Sequence, residues 1–318
     1  MGPSLDIVIV NWNTGGALRE CIESIHAAAQ GIALQRVVVV DNASSDDSLA
    51  LAQAAGCPLV IVRNEENRGF AAACNQGARG STADYLLFLN PDTRLEAHTL
   101  ARTLEFMEAS ARSDVGICGI DLFDDRGRSS TVAARFPSLR VLLGGATGLA
   151  KVLPRVFPRH LLTGEDCGAT REVDQIIGAF FVIRRRLFEA LDGFDERFFV
   201  YFEEVDLSYR AKQAGYRSMY FAGARAYHRG GLSSEQVRAT RLFFSLRSRL
   251  LYAFKHFSPA RAWLVLALTF LLEGPARLVR AAWQGGGAVA EVSEAYRRLA
   301  AFVCTSGWRH DRRVQRAP

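Results

Sequence analysis

The chain is 318 residues long and 49% apolar, with 39 Lys and Arg against 33 Asp and Glu; that is enough apolar side chain for one large core or two ordinary ones, and too much for a disordered polymer. Its six cysteines, Cys21, Cys57, Cys74, Cys118, Cys167 and Cys304, lie far apart with no C-x-x-C pair, which excludes a disulfide framework and a zinc-ligand spacing and points to a reducing compartment. Residues 1–228 hold 24 Lys and Arg against 28 Asp and Glu, whereas residues 229–318 hold 15 against 5, so a slightly acidic body carries a strongly basic tail that is expected to meet an anionic surface.

Apolar, β-branched runs at 7–10, 37–40, 59–62 and 85–89 alternate with helical patterns at 18–29, 48–55, 69–78 and 95–109, and another strand pattern follows at 115–120. Repeated βα units predict an α/β fold, a mostly parallel sheet flanked by helices. Such sheets bind ligands in the loops beyond the carboxyl ends of their strands. The residues found there are Asn11-Trp12-Asn13, Asp41-Asn42 through Asp46, Asn64 to Arg68, and Asn90-Pro91-Asp92, all polar or turn-forming but for the aromatic Trp12. No G-x-G-x-x-G and no G-x-x-x-x-G-K-[ST] follows any of these strands, which argues against a dinucleotide-binding unit and a P-loop NTPase. The N-terminus has no basic n-region, and position 6 is Asp rather than Ser or Thr, so neither a signal peptide nor myristoylation is expected and the chain is placed in the cytoplasm.

Residues 137–172 are rich in Pro and Gly without periodicity and read as a long surface excursion. A further compact region at 173–228 carries strand patterns at 175–183 and 217–227, with "YFEEVDLSYR" at 201–210 between them. Beyond it, Leu242, Leu246, Leu250, Phe254 and Phe257 recur on one side of a basic helix. The apolar stretch 262–272 ends at Glu273-Gly274-Pro275. It falls short of the roughly 20 residues of a spanning helix and is expected to lie on a membrane surface or in a core, the charge favouring the surface. The basic residues lack interleaved aromatics of a nucleic-acid module, so no nucleic-acid partner is expected.

Each acidic cluster has a plain structural reading. "DNASSD" and "NPD" suit turns and helix caps. Glu203 and Glu204 suit a first helical turn, and Asp206 can pair with Arg210 four residues on. Together and in order, however, "VIVNWN", "VVVVDNASSD", "NRGFAAACNQG", "LFLNPD", "GAFFVIRR", "GFDERFFVYFEEVDL" and "AYHRGG" resemble a family 2 glycosyltransferase of the GT-A fold, in particular its rhamnosyltransferase-like members. The match runs from about residue 7 to residue 233. It implies a glycosyltransferase domain at 1–232; the basic amphipathic helical tail at 233–318 lies outside its strong part and is expected at a membrane surface from its charge and pattern.

The resemblance implies that Asn11, Asp41 and Asn42 line a nucleoside pocket, and that Arg68, Gly69 and Asn75 attend the sugar or diphosphate of a nucleotide diphosphate sugar donor. "NPD" stands where the family carries its metal-binding D-x-D, so Asp92 would hold Mg²⁺ or Mn²⁺, with Asn90 in place of the first acid. His228 matches a position that completes the metal or diphosphate site; the alternative is a locally hydrogen-bonded strand-end histidine. The acidic pair Glu203-Glu204 would supply the base of an inverting transfer, with Glu204 in the base's place, Glu203 an open alternative and Asp206 orienting its neighbours. The implied acceptor is a hydroxyl of a growing glycan, and the basic, amphipathic tail leads to the expectation that the glycan is carried on a lipid at the inner face of the cell membrane. A GT-A-type nucleotidyltransferase and a non-catalytic nucleotide- or glycan-binding scaffold are the competing readings.

Overall fold

A computed structural model describes residues 2–52, 59–230 and 238–305. The predicted residues 53–55, Gly231 of the "AYHRGG" motif, the boundary at 232/233 and the end of the basic tail from 306 lie outside the described residues. Two compact units result: the described residues before Pro137, with Leu161–Phe199 and those from Glu203 to Gly230, form the first, and Pro137–His160, Val200–Phe202 and those from Arg238 form the second.

The first unit contains β1 (Ser4–Asn11), β2 (Ala33–Asp41), β3 (Leu59–Arg63), β4 (Tyr85–Leu89), β5 (Thr93–Leu95), β6 (Val115–Phe123), β7 (Thr131–Ala134), β8 (Leu161–Thr163), β9 (Arg171–Val173), β10 (Gln175–Ile176), β11 (Phe180–Arg184) and β12 (Arg217–His228). The main sheet runs β3-β2-β1-β4-β11-β6-β12-β5, with β9 also on β12, and β10-β7-β8 form a small second sheet. β1 to β4 are parallel, as are β6 and β12. β11 runs antiparallel between β4 and β6, and β5 and β9 run antiparallel to β12. The mostly parallel sheet explains the unbroken apolar runs: β1 from Leu5 onward and all of β4 are buried on both faces, so no polar alternation is needed. The helix Phe70–Ala78 sits so close that a Cβ on Gly77 would lie 2.4 Å from Val8 Cγ1.

Three elements depart from the sequence expectation. The strand pattern at 175–183 is broken: β10 joins the small sheet and β11 the main one, with Gly178 in the connection between them. The helix expected from 95 begins at Thr99, because the residues after "NPD" first form β5 against β12. The stretch 137–172 is ordered, with a helix at Leu139–Thr147 capped by Ser138 through Val141 N (3.2 Å), and a capping box of Thr163 with Asp166. These short capped elements carry too few residues to show a period in the sequence.

The second unit is helical, with Arg238–His256, Pro259–Leu268, Gly274–Ala282 and Gly286–Cys304 joined to Leu139–Thr147. Leu246, Leu250, Ala253, Ala262, Val265 and Leu299 form its core, and Leu242, Phe254 and Phe257 pack against them. The apolar side predicted for the first tail helix is therefore buried within its own unit. The apolar stretch does not stop at Pro275 either. Thr269–Glu273 forms a π turn that carries the chain into Gly274–Ala282, where Pro275 occupies a helix-start position needing no N–H. The helix Pro259–Ala282 is thus long and apolar enough to cross a membrane by length and composition alone.

Candidate active site

The carboxyl ends of β1, β2 and β3 are level, since Asn11 pairs with Asp41 and Asp41 with Arg63 across the parallel register. Asn11 is fully buried and Asp41 nearly so. Asn11 Nδ2 donates to Asp41 Oδ1 (2.7 Å), Ser48 Oγ (2.8 Å) and Ser44 Oγ (3.1 Å), while its Oδ1 accepts from the Thr14 hydroxyl. Asp41 Oδ2 accepts from Ser44 N (3.2 Å). Asn11 therefore fixes one oxygen of the Asp41 carboxylate and the Ser44 N–H the other, leaving further acceptor capacity on each. Asn13 and Ala43 turn these loops through left-handed backbone, with φ of 53° and 61°. Asp46 ties them together by accepting from Gly15 N (2.8 Å) and Ser48 N (3.2 Å). Burial raises the Asp46 carboxyl, but the Ser48 hydroxyl and the Gly15 N–H outweigh it and hold it below the usual range. The turn reading of "DNASSD" is thus realised alongside any ligand role.

A line of amides leads from β2 toward the acidic turn. Gln76 donates to Asn64 Oδ1 (3.0 Å), Asn64 Nδ2 to Asn42 Oδ1 (2.9 Å), and Asn42 Nδ2 to the Gly69 carbonyl (3.2 Å). Gly69 has φ 85° and ψ 165°, a region open essentially to glycine alone. The close approach it allows is to protein: a Cβ there would lie 2.5 Å from the Phe199 carbonyl oxygen, which accepts from Phe70 N at 2.6 Å. Gly69 was expected to admit the diphosphate; in the structure it seats the chain four residues before Glu203. Arg68 beside it is exposed and has no ion pair among the described residues.

Asn75 was also expected at the donor, yet its carboxamide holds backbone, donating to Phe194 O (2.8 Å) and accepting from Phe194 N (2.9 Å). Arg210 grips the same loop, donating to Leu191 O and to Gly193 O (2.8 Å), and pairs with the fully buried Asp206 at 2.8 Å. Asn75 and the Asp206–Arg210 pair therefore orient the segment ahead of the acidic turn. Sequence reading singled out neither Gln76 nor the loop-gripping contacts of Arg210, and it placed Asn64 at a strand end and Phe199 in a motif without their partners.

Tyr201 and Phe202 both adopt positive φ, 67° and 71°, directly before the helix Glu203–Gln213. Two aromatic residues in that region cost about 1–3 kcal/mol each and occur where a function or a tight fit demands them. Glu203 is buried and its Oε2 has no hydrogen-bond partner, while Glu204 is half-buried. Burial first, and then the adjacent Glu204 charge, push the Glu203 carboxyl well above the usual range. The two adjacent residues thus differ in burial: Glu203 is buried with its carboxyl pushed up, and Glu204 is half-buried.

Asp92 and His228 are brought together by the pairing of β5 with β12, in which His228 opposes Thr93. His228 Nε2 lies 3.4 Å from Asp92 Oδ1, outside hydrogen-bonding geometry, and has no other partner despite its burial. Burial raises the Asp92 carboxyl; the neighbouring His228 and the Gly230 N–H outweigh it and hold it below the ordinary value. Asn90 is anchored through its backbone, N donating to Ala179 O (3.0 Å) and O accepting from Thr93 N (3.2 Å). Among the described residues no group of three or more His, Cys, Asp or Glu converges. A buried, orphaned imidazole nitrogen beside a carboxylate nevertheless suits a divalent cation whose remaining ligands come from a diphosphate.

The glycosyl transferase family 2 model matches residues 6–192, more than half of the chain. The chain belongs to glycosyl transferase family 2. The transferase is 27% identical over 254 residues to an N-acetylglucosaminyl-diphospho-decaprenol L-rhamnosyltransferase of Mycobacterium tuberculosis, covering 75% of this chain and 80% of that one. It is 26% identical over 233 residues to the rhamnosyltransferase WbbL of Escherichia coli K12, covering 70% and 82%. Its fold matches that of the mannosyltransferase PcManGT from Pyrobaculum calidifontis, solved with GDP-Man and Mn²⁺, at a TM-score of 0.54 and 20% identity over 97% of this chain and 83% of that one. It also matches Staphylococcus aureus TarS with UDP-GlcNAc at 0.51 and 17%, over 84% and 71%. The family 2 transferase thus has the GT-A architecture.

Proposed function

We propose that this transferase moves one sugar, rhamnose, from a nucleoside diphosphate donor to a hydroxyl of a lipid-linked glycan, inverting the anomeric centre, at the cytoplasmic face of the cell membrane. The observation that carries the reading is the shared frame of the nucleoside-side loops and the acidic turn: Asn42, at the end of β2, donates to Gly69, whose neighbour Phe70 donates to Phe199 ahead of Glu203. The names of the mycobacterial and E. coli relatives favour rhamnose and a lipid diphosphate carrier.

Asp41, fixed by Asn11, accepts a hydrogen bond from the base or ribose. Arg68, exposed and unpaired among the described residues, pairs with the diphosphate. Asp92 and His228 hold a divalent cation, as the Mn²⁺ of the mannosyltransferase structure suggests; when bound, it neutralises charge on the departing diphosphate. Glu204 takes the proton of the acceptor hydroxyl as it attacks from the face opposite the leaving group. On a helix Glu203 and Glu204 point about 100° apart, so one carboxyl faces the sugar. Glu203, whose carboxyl burial and the Glu204 charge push up, is the alternative base. Asp206, through Arg210, and Asn75 are positioning residues.

The test is thermal unfolding with dTDP, UDP, GDP and NAD, each with and without Mn²⁺ or Mg²⁺. A ligand at 100 times its Kd adds about 2.7 kcal/mol. A cation-assisted shift with one nucleoside diphosphate is expected, and it is retained in Glu204→Gln while sugar transfer is lost. No shift with any nucleotide overturns the assignment of Asp41 and Asp92, and unchanged transfer by Glu204→Gln overturns its role as base.

A further inference from the structure

The outward side of Pro259–Ala282 is apolar although its inward side is already packed. Ala262, Val265, Thr269, Glu273 and Ala281 are buried. On the other side Trp263, Leu264, Leu271, Leu272, Leu278 and Val279 are exposed, Leu271 to 79% and Val279 to 61%, and Trp283 just beyond is exposed to 89%. The pairs 263–264, 271–272 and 278–279 recur about two helical turns apart, so they share one broad side of the helix. Exposed arginines border it, Arg261 three residues before Leu264 and Arg280 three before Trp283. A stripe of this length with two exposed tryptophans and a cationic border is more than scattered surface apolarity.

We propose that this stripe seats in the headgroup and acyl boundary of an anionic membrane leaflet, with the helix in the membrane plane and Arg261 and Arg280 at the lipid phosphates. This deepens the membrane-surface part of the function proposed above and is independent of the sugar. The charge of the tail selects a lipid surface over another protein surface: residues 229–318 hold 15 Lys and Arg against 5 Asp and Glu. Its buried side selects lying over spanning. Glu273 is buried in an ion pair with Arg249 at 2.5 Å and with Arg277 at 2.8 Å, and crossing the bilayer would take this charged cluster into hydrocarbon.

The test is co-sedimentation of the full chain with phosphatidylcholine vesicles, with and without phosphatidylglycerol, for wild type and for Leu271→Glu/Val279→Glu. Both sites are exposed, so the double variant should keep the wild-type circular dichroism and nucleotide-dependent thermal shift; that shift reports the active-site reading separately. Binding is expected only with phosphatidylglycerol, weaker by on the order of tenfold or more in the double variant. Alkaline carbonate should release the bound protein, and Trp283→Phe should remove part of the blue-shifted emission gained on binding. Equal vesicle binding by wild type and double variant overturns the proposal, as does wild-type protein that ignores anionic vesicles. Retention through carbonate shows a spanning helix instead, and a dimer without lipid that the double variant dissolves shows a second copy as the occupant; either result also overturns it.

Discussion

Gly69→Ala tests the frame that joins the nucleoside-side loops to the acidic turn. The backbone at Gly69, φ 85° and ψ 165°, is one that side chains avoid, at about 1–3 kcal/mol. The added Cβ also meets the Phe199 carbonyl oxygen at 2.5 Å and its Cδ2 at 2.7 Å. The oxygen is backbone and is already bonded to Phe70 N, so it cannot swing aside as a side-chain tip would, and overpacking adds a further ~1–3 kcal/mol. The sum, roughly 2–6 kcal/mol, lowers the melting temperature by roughly 5–20 °C for a unit of this size. Gly127→Ala is the control: φ is also positive, +70°, but nothing lies within 4 Å, so only ~1–2 kcal/mol of left-handed strain applies. Differential scanning calorimetry reads both variants, and transfer assays below the melting temperature read the displaced acidic turn. Gly69→Ala should lose transfer in its folded fraction while Gly127→Ala keeps it. Equal melting temperatures for the two variants, with full transfer by Gly69→Ala, would refute the clamp.

Glu203→Gln removes a buried carboxyl whose folded pKa lies well above its unfolded value. The wild type's stability is then full below about pH 4.3 and declines by up to ~1.4 kcal/mol per pH unit until the raised folded value is passed; denaturant titrations across that window should show this slope in the wild type and its absence in Glu203→Gln. Asp92 has the opposite sign. Its folded pKa is depressed, so its contribution is complete above about pH 3.9 and is lost as the pH falls through the lower folded value. Asp92→Asn should flatten that acid limb and abolish the cation-dependent part of the nucleotide thermal shift. Asp206→Asn leaves Arg210 buried without its partner and should cost about 3–5 kcal/mol by urea titration, with Arg210 donating to Leu191 and Gly193 in the wild type.

The sequence by itself determined the sheet's first half, the polar residues at its strand ends and the acidic helix start. Those signals are local: strands buried on both faces read as unbroken apolar runs such as "VVVV", and polar turns such as "DNASSD" follow them. What only the tertiary structure decided depends on contacts between distant segments. Asp92 meets His228 because β5, too short to show a period, pairs with β12. Gly69 and Asn75 are polar-loop and helix residues by sequence, yet their partners Phe199 and Phe194 lie on another segment of the chain. Adjacent Glu203 and Glu204 are chemically alike as letters, and burial first, then the Glu204 charge, pushes the Glu203 carboxyl up. Pro275, a helix stop by local rules, starts the next helical stretch because a π turn delivers the chain to it, and a 24-residue helix results.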